Sequence, residues 1–70
     1  MKIADVLRRA GVQFEEWGID RFKGYTPGGK GWTMERAAGA YGLKFTLRME
    51  GMNTATACLL RTAIQKIKKN

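Results

Sequence analysis

Residues 21–36 read RFKGYT, then PGGK, then GWTMER. This stretch constrains the chain more than any other. Proline fixes φ and removes a backbone donor, so a helix cannot run through it. The glycines that follow take positive φ at no steric cost. Two aromatic-bearing segments around such a cluster predict a β-hairpin with arms 21–26 and 31–36. A competing reading of the second arm starts a helix at Thr33 and runs it to a stop at Gly42. Its alanines favour that reading, whereas Gly39 and the lack of an apolar stripe oppose it.

The same residues raise a second question. GYTPGGKG, residues 24–31, fits seven of the eight positions of the phosphate-loop pattern G-x-x-x-x-G-K-[S/T], with Gly31 where the hydroxyl should stand. That hydroxyl holds magnesium in a true phosphate loop. Pro27 also removes one of the N–H groups that would wrap a phosphate, and Gly31-Trp32 is a poor helix start. The match therefore reads as a by-product of a turn, one that can still offer Lys30 and free N–H groups to a phosphate oxygen.

Around the hairpin the pattern alternates between helix and strand. Ile3, Val6, Leu7 and Ala10 recur at helical spacing and predict a helix over 2–10, with Asp5 and Arg9 four apart in the favourable order. Gly11 reads as a left-handed stop, with Val12 positioned to pack back. Residues 12–17, VQFEEW, are open between helix and strand, with a lean to an extended segment that turns Val12 and Phe14 inward. In 43–49, LKFTLRM, strict alternation puts Leu43, Phe45, Leu47 and Met49 on one face and Lys44, Thr46 and Arg48 on the other. A final amphipathic helix is expected after a cap at Asn53 or Thr54. Ala57, Leu60, Ile64 and Ile67 form its stripe, widened by Leu59 and Ala63, and Lys66, Lys68 and Lys69 crowd its last turn. The expected fold is α+β and a single small domain over 1–70: an N-terminal helix, a small antiparallel sheet of about three strands, and a C-terminal helix. Both helices cover one sheet face.

Charge bears most directly on function. Thirteen Lys and Arg oppose six Asp and Glu, for a net +7. Residues 1–20 carry a net −1, 21–50 a net +4 and 51–70 a net +4. A basic lobe of this kind predicts a polyanionic partner. With no histidine and one cysteine, Cys58, the chain can form no internal disulfide and lacks the thiolate and imidazole ligands of a zinc site. Those facts predict a reducing, cytoplasmic setting and no metal or cofactor. No apolar run approaches a membrane span, and MKIADVLRRAG is not a secretory signal. Glu15 and Glu16 are adjacent, so they cannot flank one bond. Cys58 has no histidine to activate it. No catalytic residues are expected.

Basic and aromatic residues interleave in and around the hairpin and along the strand. The candidate contact set is Lys23, Tyr25, Lys30, Trp32, Arg36, Lys44, Thr46 and Arg48, with Lys66 and Lys69 from the last helix. Exposed aromatics on a basic sheet stack bases while lysines neutralise phosphate. The alternative for Phe22, Trp32 and Phe45 is simply to fill a small core. The order helix, three strands, helix is similar in topology to the double-stranded-RNA-binding domain, whose lysine cluster opens the last helix; here that position reads NTATA, and no residues carry over. KFTLRM before an amphipathic helix resembles half of a ribbon-helix-helix repressor, without its intervening helix. No family follows from either resemblance. Two functions are expected: a nucleic-acid-binding module (DNA or RNA), or a small adaptor or inhibitor, of the size that mobile genetic elements encode, docked on an acidic host protein. A homodimer through strand 43–49 is a further expectation.

Overall fold

In the computed structural model residues 2–37 and 44–70 are described. Helix α1 spans Ile3–Arg9 and buries Ile3 and Leu7. It ends where the glycine stop predicts. Gly11 takes φ 78°, its N–H donates to the Arg8 carbonyl at 3.1 Å, and the Val12 N–H donates to the Leu7 carbonyl at 3.1 Å. This pair of bonds satisfies carbonyls that the helix leaves open and turns Val12 into the core. Asp5 pairs with Arg8 at 2.9 Å, one residue short of the expected partner Arg9.

Among the described residues the sheet has five strands, where the sequence predicts about three. They are β1 (Glu15–Gly18), β2 (Arg21–Tyr25), β3 (Gly31–Arg36), β4 (Lys44–Met49) and β5 (Thr56–Leu59), antiparallel throughout and in chain order across the sheet. Both hairpin arms form as expected, with Tyr25 opposite Gly31 and Phe22 opposite Met34. A helix beginning at Thr33 is excluded, because 33–35 pair on both sides and Arg36 pairs with β4. The rest of that reading, and Leu43, lie outside the described residues. The open choice over 12–17 resolves to extended chain that leads into β1, with Val12 buried and Phe14 half-buried.

Two expectations are corrected at the C-terminal end. Residues 56–59, TACL, form strand β5 on the free side of β4, and helix α2 begins only at Leu60 and runs to Lys69. The expected cap at Asn53 or Thr54 is absent, since Leu59 occupies the N-cap position with no side-chain cap. Pairing with β4 satisfies the backbone groups of 56–59 that face it, and β-branched Thr56 suits a strand better than a helix interior. Ala57 and Leu59, expected on the helix stripe, are exposed, whereas Leu60, Ala63 and Ile67 are buried as expected. Because β3 and β5 flank it, β4 has no free edge over residues 44–47 for a second copy.

One core joins everything. Phe22, Trp32, Met34, Phe45, Leu47 and Met49 point from the sheet into α1 and α2. Burying each such side chain is worth about 1.5–3 kcal/mol. Both helices therefore lie on one side of the sheet, and its other face meets solvent.

Candidate nucleic-acid interface

Alternation along three strands builds the solvent face. Phe22 points inward, so Arg21, Lys23 and Tyr25 point out; Trp32 and Met34 point inward, so Thr33 and Glu35 point out. On β4, Phe45, Leu47 and Met49 are buried, so Lys44, Thr46 and Arg48 face solvent, as the sequence pattern predicts. Register then sets the rows across the strands. One row reads Glu15, Lys23, Thr33, Arg48, and the next reads Arg21, Glu35, Thr46, Ala57.

Charge is uneven over this face. Arg21 meets Glu35 at 3.5 Å, and Lys23 meets Glu15 at 3.9 Å, all four side chains about half exposed or more. Ion pairs this exposed are worth about 0–1 kcal/mol, but they offset each other's field. Lys44 and Arg48 have no carboxylate partner among the described residues. The uncompensated positive charge thus concentrates on β4.

Tyr25 has the most distinctive surroundings. It is 60% exposed, and its cross-strand partner is Gly31. A Cβ built on Gly31 would meet Tyr25 Cε1 at 3.9 Å, so the ring lies beside the bare Cα of the glycine. The Gly31 N–H donates to Glu50 Oε2 at 3.0 Å, and the Glu50 N–H donates to the Gly31 carbonyl at 2.8 Å. These bonds extend the β3–β4 ladder past its end and hold the glycine in place. A groove of about 730 Å³ opens here, lined by Lys23, Tyr25, Thr33, Arg48 and Glu50 among others. That volume lies within the range of about 300–1,000 Å³ common to ligand sites.

Several predicted contact residues sit elsewhere. Trp32 is 2% exposed and packs in the core, so it offers no stacking surface, and its buried indole N–H finds no acceptor among the described residues. It shares the parity of Met34, and a small core needs its volume. Arg36 points with the inward set: its guanidinium lies 5.2 Å from the Phe45 ring centroid, and its Nε–H donates to Asp20 Oδ2 at 2.9 Å. It closes the end of the core and does not join the solvent face. Lys66 and Lys69 ride on α2, on the opposite side of the sheet. Lys23, Tyr25 and Arg48 do come together at the groove, Lys44 and Thr46 continue along β4, and Lys30 projects from the hairpin turn.

Most of the turn's N–H groups are turned to internal partners. The Gly29 N–H donates to the Thr26 carbonyl at 2.9 Å, and the Lys30 N–H donates to Thr26 Oγ1 at 3.0 Å. With Gly31 bound to Glu50, three consecutive N–H groups are used inside the protein. Of the free N–H groups expected in the turn, that of Gly28 alone makes no hydrogen bond among the described residues, and it stands with the Lys30 side chain. Gly24, the first glycine of the phosphate-loop pattern, has a different role. A Cβ there would land on the Gln13 carbonyl oxygen, so the residue is small because the 12–14 segment crosses it.

Sequence reading missed Trp17 and Arg21. Trp17 is 49% exposed, and the Arg21 guanidinium lies 5.2 Å from its ring centroid, which brings both to the same face. The alternation in EEWG carried that signal, but a strand of four residues with a register shift is too short to read. Cys58 is half-buried, and burial pushes its thiol above the ordinary value while the nearby Lys66 ammonium pulls the other way. Among the described residues no cluster of His, Cys, Asp or Glu is placed to hold a metal ion, and no helix is long and apolar enough to cross a membrane. None of the protein-family models, curated proteins or solved structures compared with the chain matches it significantly.

Proposed function

We propose that the protein is a nucleic-acid-binding module without catalytic activity, which contacts phosphate through the open face of its sheet. The observation that carries this reading is the position of Lys44 and Arg48. Both side chains face solvent on the side opposite the helices, and no described carboxylate pairs with them. A net charge of +7 adds long-range attraction for a polyanion. Affinity on this reading comes mainly from cation–phosphate contacts, with little base readout. Anisotropy of a labelled oligonucleotide tests it. Lys44→Gln with Arg48→Gln is expected to weaken binding at low salt while the melting curve stays unchanged. Binding indifferent to that double change would end the proposal.

A second reading rests on a different observation. Ile19 is 92% exposed in the β1–β2 turn, beside the half-exposed Trp17. An apolar tip of this kind suits docking on another protein, and the basic face suits an acidic one. A pull-down from lysate with and without nuclease separates the two: a partner retained after nuclease favours the adaptor, whereas nucleic acid recovered only without nuclease favours the binding module.

A further inference from the structure

We infer that the ligand of the sheet face is a single strand, with one base stacked on Tyr25 in the groove and the adjoining phosphates on Lys23, Arg48 and Lys44. This inference rests on the nucleic-acid reading above and narrows it. Three features of the site carry it.

The first is the presentation of the ring. Tyr25 points outward from β2 at 60% exposure, beside a glycine whose missing side chain leaves its neighbourhood open. An aromatic ring held on a strand loses little freedom when a base stacks on it. In a duplex both faces of each base are covered by their neighbours, so a ring on a flat sheet has no base face to meet. In a single strand the faces are available.

The second is the arrangement of charge around the ring. Lys23 and Arg48 are separated by Thr33 in one row, two strand spacings or about 10 Å apart. Lys44 lies four residues from Arg48 on the same strand, about 13 Å along it. These cations follow a bent path from the groove along β4. A flexible backbone can follow that path while one of its bases stays on Tyr25.

The third is the acidic residues. Glu15 and Glu35 interrupt the face, and Glu50 lines the groove. A duplex pressed over the whole face would bring phosphates against them. A strand threaded past Tyr25 runs beside Glu35, which stands across from Thr46 but is already paired with Arg21, and beside Glu15, which is paired with Lys23; base amino groups can donate to Glu50, one of whose oxygens already accepts from Gly31.

The test compares a labelled single strand of about 12 nucleotides with the duplex of the same sequence, at about 50 mM salt. The wild-type protein is expected to bind the single strand more tightly. Tyr25→Phe, which keeps the ring, is expected to bind like wild type. Tyr25→Leu, which keeps an apolar cover beside Gly31, is expected to bind the single strand about 5- to 150-fold more weakly, the span of one base stacked on an aromatic ring. Should the leucine variant fail to fold, photocrosslinking of a bromouracil-substituted strand to the wild-type protein serves instead, with Tyr25 as the expected attachment point. Equal or tighter duplex binding, full affinity in a folded leucine variant, or crosslinks confined to α2 would each overturn the inference. Duplex binding that still depends on Lys44 and Arg48 leaves the nucleic-acid reading standing. If neither oligonucleotide binds and polyglutamate does, both readings fall together.

Discussion

Asp20 holds a left-handed backbone at φ 54° in the turn between β1 and β2, where glycine or asparagine is more usual. Its carboxylate accepts from Arg36 Nε, and its carbonyl accepts from the Arg36 N–H at 3.2 Å. One residue thus turns the chain and anchors the far end of β3. Asp20→Asn keeps the tolerance for this conformation and loses only the charge, whereas Asp20→Ala loses both. Alanine is expected to cost about 1–2 kcal/mol more than asparagine, read as a lower midpoint in urea unfolding. Cys58 gives a pH prediction. Burial raises its folded-state pKa, so below the unfolded value both states keep the proton and the group contributes nothing to the pH dependence. As pH rises past the unfolded value, the unfolded chain releases its proton first, and stability falls until the folded thiol ionises as well. Alkylation of the folded protein by iodoacetamide should therefore reach half-maximal rate at higher pH than that of a free cysteine peptide. A midpoint at or below the peptide's would show that Lys66 outweighs burial. None of this was visible in sequence. Asp20 carries no motif, and the burial of Cys58 depends on the pairing of β5.

Hairpin β2–β3 is the element that sequence predicts best, because proline and glycine act locally and need no tertiary help. The interior of β2 is less local. Gly24 sits opposite Trp32, and the backbone of residues 13–14 crosses where its side chain would be. Gly24→Ala is expected to destabilise by about 1–3 kcal/mol, since a backbone atom has to move. Gly29→Ala meets open space and carries only the cost of positive φ, about 1–2 kcal/mol. Thermal melts of the two variants should keep that order; the reverse would mean that the crossing segment yields easily. β4 was also legible, because strict alternation needs only a two-sided sheet. β5 was not: TACL suits a helix stripe as well as an edge strand, and the free side of β4 decides between them.

Across the described residues the sheet acts as a partition, with both helices on one side and Tyr25, Lys44 and Arg48 on the other. Salt dependence belongs to this scale, because it counts every phosphate neutralised at once. Log affinity is expected to fall linearly with log salt, by about 0.7 per contact on a single strand and about 0.9 on a duplex. Loss of Lys44 and Arg48 together should flatten the slope by about 1.4 or about 1.8, respectively. A slope near zero in the wild type would remove phosphate from the account altogether. By itself the sequence determined the net charge, the reversal at Pro27–Gly29, the stop at Gly11 and the two faces of β4, since each follows from the chemistry of adjacent residues. Only the tertiary structure decided that Trp32 fills the core while Tyr25 stays outside, that Arg36 is held by Asp20, and that residues 56–59 complete the sheet. Those outcomes depend on which strand lies beside which, and pairing partners far apart in the chain leave no mark on local pattern.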